Sequence, residues 1–160
     1  MIYRHAVLHG TGTFEIDPPH EAEMEARHAR LTESGYPYLV ACASNEVLGY
    51  AYAGPFRERP AYRFLVEDSI YVRADCQGRG IGSALIGRLI AECVARGYRQ
   101  MVAVIGDSEN VGSIRLHEKA GFASAGLFRA AGWKAGRWLD AVLMQRALGA
   151  GASEPPEDPQ

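Results

Sequence analysis

Ile81, Leu85, Ile86, Leu89, Ile90, Cys93 and Val94 recur at steps of 4, 1, 3, 1, 3 and 1. That stripe matches the period of an α-helix with one apolar face. It predicts a helix from about Gly80 to Arg96, ended by Gly97. Such a helix must bury its stripe against another layer. The neighbouring segments supply one. Tyr62 to Val72 reads as a strand before it, and Met101 to Ile105 as a strand after it, apolar throughout and buried on both faces.

The rest of the chain extends this pattern. Tyr38 to Ala43 and Val47 to Gly54 read as two strands joined at Asn45 by a hairpin turn. Pro55 and Pro60 bracket a polar loop, Phe56-Arg57-Glu58-Arg59. Upstream, Ile2 to Leu8 reads as a short helix, Gly10-Thr11-Gly12 as a turn, and Thr13 to Ile16 as a short alternating strand. Asp17-Pro18-Pro19 then opens a helix, because Asp caps free N–H groups and Pro is tolerated in a first turn. Gly35 ends it. Downstream, a helix runs from about Asn110 to Lys119 and stops at Gly121. Phe122 to Phe128 and Trp138 to Arg146 are two final strands joined by a Gly-rich loop. The order predicts an α/β fold, a sheet with helices packed on it.

A length of 160 residues suits one domain. The domain is expected to span residues 1–148, followed by a disordered acidic and Pro-rich tail over 149–160, which holds Glu154, Glu157 and Asp158 and no Lys or Arg. Net charge is −2, and the body without the tail is +1. Neither balance suggests nucleic-acid binding, which needs a strong basic patch. No apolar run approaches the ~20 residues of a membrane helix. Met1 to His5 leads into no apolar signal core, so no export signal is expected. Cys42, Cys76 and Cys93 are neither a disulfide framework nor a CxxC metal site, which suits a reducing cytoplasm. His5 and His9 stand one helical turn apart without a third metal ligand in view. Cys93 falls in the apolar stripe and reads as core, and Cys76 borders the glycine-rich turn with nothing nearby that requires a thiolate.

That turn is Gln77-Gly78-Arg79-Gly80-Ile81-Gly82-Ser83, between the strand ending at Val72 and the striped helix. Three glycines let the backbone turn tightly and approach a ligand. The first N–H groups of the helix lack internal partners and, with the helix dipole, suit a pyrophosphate. A plain turn and a loop for another nucleotide remain alternatives. No Gly-Lys-Ser/Thr follows, so it is not a Walker loop. No parallel strand with an acidic end follows at the spacing of a dinucleotide fold.

Gln77-x-x-Gly80-x-Gly82 resembles the acyl-CoA pyrophosphate loop of the GCN5-related N-acetyltransferases. Further segments resemble one branch, the phosphinothricin and methionine sulfoximine N-acetyltransferases. They are Val66-Glu67-Asp68-Ser69-Ile70-Tyr71-Val72, Val102-Ala103-Val104-Ile105, Ser113-Ile114-Arg115-Leu116-His117-Glu118, Gly121-Phe122, Arg129-Ala130-Ala131-Gly132 and Trp138-Leu139-Asp140. The resemblance runs from Ile2 to about Leu148.

It implies a single-domain acetyltransferase fold, a mixed central sheet flanked by helices, with acetyl-CoA as co-substrate and no metal. The acceptor would be the α-amine of a small amino-acid-like molecule: phosphinothricin, methionine sulfoximine or methionine sulfone. Ile70, Tyr71 and Val72 would offer backbone to the pantetheine arm. Gln77, Gly78, Arg79, Gly80, Ile81, Gly82 and Ser83 would hold the pyrophosphate, and Asn110 the cofactor arm. Glu67 would be the general base and His117 the second catalytic group. The family also implies a homodimer. Another amine acceptor, such as a protein N-terminus, and a non-catalytic acyl-CoA-binding module are the alternatives. Two departures from the pattern stand out. The sequence begins within the first helix, so the family's first strand is expected to be missing, and Leu65 stands where the branch has Thr.

The residues themselves make chemical sense. An α-ammonium is charged at pH 7 and must lose a proton before it attacks a thioester. Glu67 lies in a mostly apolar strand, where burial raises a carboxyl pKa, although a salt-bridged edge carboxylate fits the same position. His117 lies three residues after Ile114, on the core side of its helix, where it is either structural or a proton shuttle. Arg57 and Arg59 could clamp a carboxylate or phosphinate bidentately, with Tyr62 shaping the same pocket, or could be a solvated loop.

Overall fold

Residues 2–156 are described by a computed structural model of the chain. Helix α1 spans Ile2–His9 and α2 spans Glu21–Glu33. Strands β1 (Tyr38–Ala43), β2 (Glu46–Pro55) and β3 (Leu65–Val72) follow as an antiparallel meander. Helix α3 (Ile81–Ala95) crosses over to β4 (Gln100–Gly106), which pairs parallel to β3. Helix α4 (Val111–Lys119) leads to the hairpin of β5 (Ala123–Lys134) and β6 (Arg137–Ala147). The six strands lie in the order β1-β2-β3-β4-β6-β5, a mixed sheet flanked by helices.

The stripe read from the sequence is the face that α3 buries. Leu85, Ile86, Leu89, Ile90 and Cys93 join Ala51, Val66, Met101 and Ala103 in the core. Full burial of each large aliphatic side chain contributes roughly 1.5–3 kcal/mol. Val94 closes the stripe on the exposed side.

Several boundaries differ from expectation, each for a local reason. The strand expected from Tyr62 starts at Leu65, because Pro60–Tyr62 forms a 3-10 turn with Tyr62 N–H donating to the Arg59 carbonyl at 2.9 Å. Thr13 to Ile16 is not a strand. The Thr13 carbonyl is taken by Lys134 Nζ at 2.7 Å instead of by a ladder partner. Helix α2 is capped by His20, whose Nδ1 accepts the Glu23 N–H, so the Asp17-Pro18-Pro19 segment lies before the helix. The Gly-rich loop after Phe128 is strand. Irregular register between Phe128 and Gly132 absorbs the glycine, and the turn is only Ala135-Gly136 with φ of 52° and 74°. Two successive positive-φ residues are what a tight hairpin requires.

Of the tail expected to be disordered over 149–160, the structure describes residues up to 156. Leu148 is buried and its N–H bonds the Arg99 carbonyl; Gly151 N–H returns to Leu148, and Arg99 donates to the carbonyls of Glu154 and Pro155. Residues 157–160 lie outside the described residues. Among the described residues, β1 has one neighbouring strand, β2, and no helix is long and apolar enough to cross a membrane.

Candidate active site

Strands β3 and β4 pair over only three positions, Leu65 with Gln100, Val66 with Met101, and Glu67 with Val102. Beyond Glu67, β3 continues to Val72 against β2, and β4 continues to Gly106 against β6. The sheet therefore opens into a wedge. The wedge is the start of a cleft of about 1210 Å³ that reaches the turn before α3 and the first turns of α3 and α4.

The turn has the form that the glycines predicted. Gly78 and Gly80 have φ of 75° and 81°, conformations that cost other residues about 1–2 kcal/mol. A Cβ at either would meet nothing within 4 Å, so the glycines serve the backbone path and not packing. Gly80 is the N-cap of α3 and makes no side-chain capping bond, leaving the first N–H groups available to an anion. Gln77, Ile81, Gly82 and Ser83 line the cleft, and so do Ile70, Tyr71 and Val72. Arg79 is exposed outside the lining. Arg115 and Lys119 of α4 add cationic side chains to the lining and were not singled out from the sequence. Asn110 lines the cleft but is also the N-cap of α4, its Oδ1 accepting the Ser113 N–H at 3.3 Å.

An arm without regular structure, residues 10–16, closes one side. It lies so near β4 that a Cβ on Gly106 would stand 2.4 Å from the Thr11 carbonyl oxygen. The Phe14 ring similarly occupies the space where a side chain on Gly132 would be. Lys134 holds the Thr13 carbonyl, and burial lowers its pKa. Nothing in the alternation of residues 13–16 showed that they would cover a cleft.

A second cavity, of about 540 Å³, lies between α2 and the β2–β3 strands. Tyr38, Tyr50 and Tyr52 wall it, with Tyr38 stacked on both others at centroid distances of 5.8 and 5.2 Å. Burial pushes the Tyr38 hydroxyl up to about 12 and raises Tyr50 further. The Tyr50 hydroxyl is buried without a partner. Arg27 at the wall is held by Glu15 at 2.6 Å and by Glu23. These tyrosines had read only as strand residues.

Glu67 and Ser69 line both cavities. The Glu67 carboxyl is raised above its ordinary value, mainly by burial and further by the charge of Asp68, with Arg57 acting in the opposite direction. Arg57 therefore reaches Glu67 electrostatically, while its guanidinium lies over Phe56 at 4.8 Å. Arg59 and Tyr62 are exposed, and none of the three lines either cavity.

His117 lines the cleft from α4, with its ring buried edge-on against Phe122. Its Nδ1 lies 2.8 Å from the Ser113 carbonyl oxygen and its Nε2 lies 3.1 Å from Asp68 Oδ2. Asp68 is adjacent to Glu67, and successive strand residues point to opposite faces of the sheet. Both carboxylates line the cleft, their side chains leaving opposite faces of β3. A second acid inside an apolar strand was the signal that could have found Asp68.

The profile of the acetyltransferase (GNAT) family matches residues 5–122. The chain belongs to the GNAT family. Phosphinothricin N-acetyltransferase of Alcaligenes faecalis is 49% identical over 156 residues, covering 98% of this chain and 79% of that protein. L-methionine sulfoximine/L-methionine sulfone acetyltransferase of Pseudomonas aeruginosa is 41% identical over 155 residues, covering 96% of this chain and 90% of that one. A GNAT superfamily phosphinothricin acetyltransferase from Sinorhizobium meliloti, solved in complex with acetyl-CoA, superposes with a TM-score of 0.96 at 51% identity, covering 99% of this chain and 85% of that chain. This GNAT chain is an acetyltransferase with the mixed α/β fold of those relatives.

Proposed function

We propose that the chain transfers an acetyl group from acetyl-CoA to the α-amine of a small amino-acid-like acceptor, with phosphinothricin, methionine sulfoximine and methionine sulfone as the acceptors to test first. The observation that carries this reading is the meeting of two cavities at Glu67 and Ser69. A base that belongs to both can act where two substrates join. The glycine turn, the uncapped α3 N-terminus and the cations Arg115 and Lys119 fit the phosphates of acetyl-CoA. The open β3 edge, Ile70 to Val72, fits its amide-bearing arm. The relatives named above support the same cofactor and acceptor class.

Acetyl-CoA supplies an acetyl group activated as a thioester. The chain's residues do the rest. Glu67 takes the proton of the acceptor ammonium, its raised pKa bringing it nearer to neutral pH and making it a better base. The amine nitrogen then forms the C–N bond and releases its second proton to solvent in the open cleft, the C–S bond breaks, and the sulfur departs with the electron pair. Arg57 carries positive charge beside Glu67 and suits the acceptor's carboxylate, and Arg59 and Tyr62 follow it on the exposed segment that leads into β3. Holding both substrates at one point contributes much of the rate. His117 acts on the opposite side of β3 as the second group. The catalytic domain covers residues 1–148 and works in the cytoplasm.

The chain works as a homodimer. Supporting this, Phe128, Trp133 and Trp138 are 60%, 56% and 61% exposed on the β5–β6 hairpin, and the two indoles pack at 5.4 Å. Aromatic side chains clustered in the open mark a contact surface. Light scattering at micromolar concentration tests it, and a 17.4 kDa species would refute it.

The activity is tested by thiol release from acetyl-CoA against phosphinothricin, methionine sulfoximine, methionine sulfone, ordinary amino acids, a polyamine and a peptide N-terminus. Fast release with the first three is expected. Release only with the peptide or polyamine would replace the acceptor class, which matters because Leu65 heads the strand that carries Glu67. Acetyl-CoA binding without release on any amine would leave a binding module.

A further inference from the structure

Where β4 ends and α4 begins, the chain turns on a residue that the acetyl-transfer reading leaves unused. Asp107 has a φ of 73° and is 3% exposed. Ser44, Asn45, Ala130 and Ala135 also take positive φ, but all four are exposed. A buried left-handed residue that carries a side chain is a costly choice where glycine would serve the turn. The side chain must therefore do something that the turn alone does not need. We propose that Asp107 is a positioning residue whose carboxylate pins the arm at 10–16 to the start of α4, and so builds one wall of the acetyl-CoA cleft. The proposal rests on acetyl-CoA being the co-substrate, and it adds a residue outside the glycine turn that sets its affinity.

Every polar atom of Asp107 is engaged, and the partners come from three separate segments. Its N–H donates to the Asp140 carbonyl of β6 at 2.8 Å, and its carbonyl accepts the Asn110 N–H at 3.0 Å. Oδ1 accepts the Glu109 N–H at 3.1 Å, which closes an Asx turn ahead of α4. Oδ2 accepts from Arg137 at the start of β6, and the Thr11 hydroxyl of the arm bonds the same carboxylate. The anchor on β6 is itself braced, because Asp140 also accepts the Ser108 hydroxyl at 3.0 Å and the Ala130 N–H at 2.9 Å. Burial would raise the Asp107 pKa, but Thr11, the Glu109 N–H and Arg137 together hold it below the usual carboxylate value. The pin is therefore charged at neutral pH.

The groups held this way face the ligand. Thr11, Asp107, Glu109 and Asn110 all line the cleft. Among the described residues, the apolar core takes no member from the arm or from 106–110. This wall is therefore held by polar bonds and close backbone approach, and losing the pin moves the wall while the core stays packed. The contact is tight, since a Cβ on Gly12 of the arm would stand 3.2 Å from the Asn110 Nδ2. Charge is arranged to match. A bare carboxylate here would repel the phosphates of acetyl-CoA, and Arg137, bonded to Asp107 and 3.5 Å from Glu109, offsets both acids.

Three substitutions separate the pin from the turn. Asp107→Gly keeps the left-handed backbone without strain and removes the carboxylate. Asp107→Asn keeps the Asx bond but turns an amide N–H toward Arg137 or Thr11, both of which are donors. Thr11→Val removes the bond from the arm alone. Calorimetry gives the acetyl-CoA dissociation constant, and steady-state thiol release separates KM from kcat. In Asp107→Gly both the dissociation constant and the KM for acetyl-CoA should rise at least about tenfold, because a wall that is no longer preorganised must be ordered on binding. Its kcat at saturating donor should stay within about threefold, since Glu67 is untouched and the loss is one of ground-state binding. Asp107→Asn should fall between the two. Thr11→Val should weaken binding about threefold by itself and add nothing in the Asp107→Gly background, because both changes delete one shared bond. A residue that only steadied the fold would lower the urea midpoint and leave the affinity of the folded protein alone. An Asp107→Gly dissociation constant within about twofold of wild type, or full additivity of the two changes, therefore overturns the proposal. If Asp107→Gly does not fold, unchanged affinity in both Asp107→Asn and Thr11→Val overturns it. A wild type that binds no acetyl-CoA overturns it together with the co-substrate reading.

Discussion

Replacing Glu67 with Gln is the sharpest test of the two-cavity site. The amide is nearly the same size, so the half-buried position stays filled. The base is lost, along with its repulsion of Asp68 and its attraction to Arg57. Proton removal by a positioned base contributes typically about 10²–10⁴-fold. Glu67 is only partly buried and its cleft is open enough for water to act in its place, so the lower half of that range applies, about 10²–10³. That corresponds to about 2.7–4.1 kcal/mol of barrier at about 1.36 kcal/mol per tenfold. The Gln77–Ser83 turn is untouched, so the acetyl-CoA dissociation constant by calorimetry should not move. Steady-state thiol release over pH adds a second reading. Wild-type kcat should fall as pH drops through the raised Glu67 value, because the carboxylate must be ionised to accept a proton. The variant should lose that acid limb. A variant that keeps kcat within about threefold, with the acid limb intact, would refute the assignment of Glu67 as base.

Gly80→Ala forces a side chain into a φ of 81° at an open position, so the cost is carried by the backbone. About 1–2 kcal/mol of strain should weaken acetyl-CoA binding about 5- to 30-fold in calorimetry, and an unchanged affinity would contradict the phosphate-turn reading. Leu89→Ala empties a position that is 0% exposed and should cost about 2–5 kcal/mol in urea unfolding; a loss under about 1 kcal/mol would show that α3 is not the main buried face. The raised His117 pKa also predicts a sign. Its contribution to stability is complete below the unfolded value of about 6.5 and is lost as pH rises through the higher folded value. The stability advantage of wild type over Asp68→Asn should therefore be largest near pH 6 and shrink toward pH 9, and a growing advantage would show that the ring is neutral when folded.

Local patterns carried the elements, and contacts between distant segments carried most of the surprises. The α3 stripe and the glycines at 78, 80 and 82 were legible because periodicity and turn chemistry depend on neighbours in sequence. The α/β order followed from them. The extension of β5 through Gly132 to Lys134 was not legible, since irregular strand register depends on the partner β6 and on where Phe14 packs. The arm at 10–16 alternates like a strand, but a carbonyl held by Lys134, 121 positions away, decided its path. Glu67 was found as an acid in an apolar strand. Asp68 was overlooked although it has the same signature, because its meaning depends on a histidine 49 positions away. The tyrosine wall was equally hidden. Tyr38, Tyr50 and Tyr52 fit strand propensity, and only the β1–β2 register, with Tyr38 opposite Tyr52, stacks them beside Glu67.

The three-rung pairing of β3 with β4 has a consequence for how the protein survives and not only for how it works. Past Glu67 and Val102, two strand edges face each other across the wedge without completing a ladder. A ligand whose amides bond to those edges acts as an interposed strand and adds its binding energy to the stability of the whole sheet. A ligand at a hundred times its dissociation constant adds about 2.7 kcal/mol to a fold that binds it only when native. That is a sizeable share of the 5–15 kcal/mol typical of a domain. The melting temperature should then climb with acetyl-CoA concentration, so that the supply of the acetyl donor governs the lifetime of the folded chain as well as its turnover.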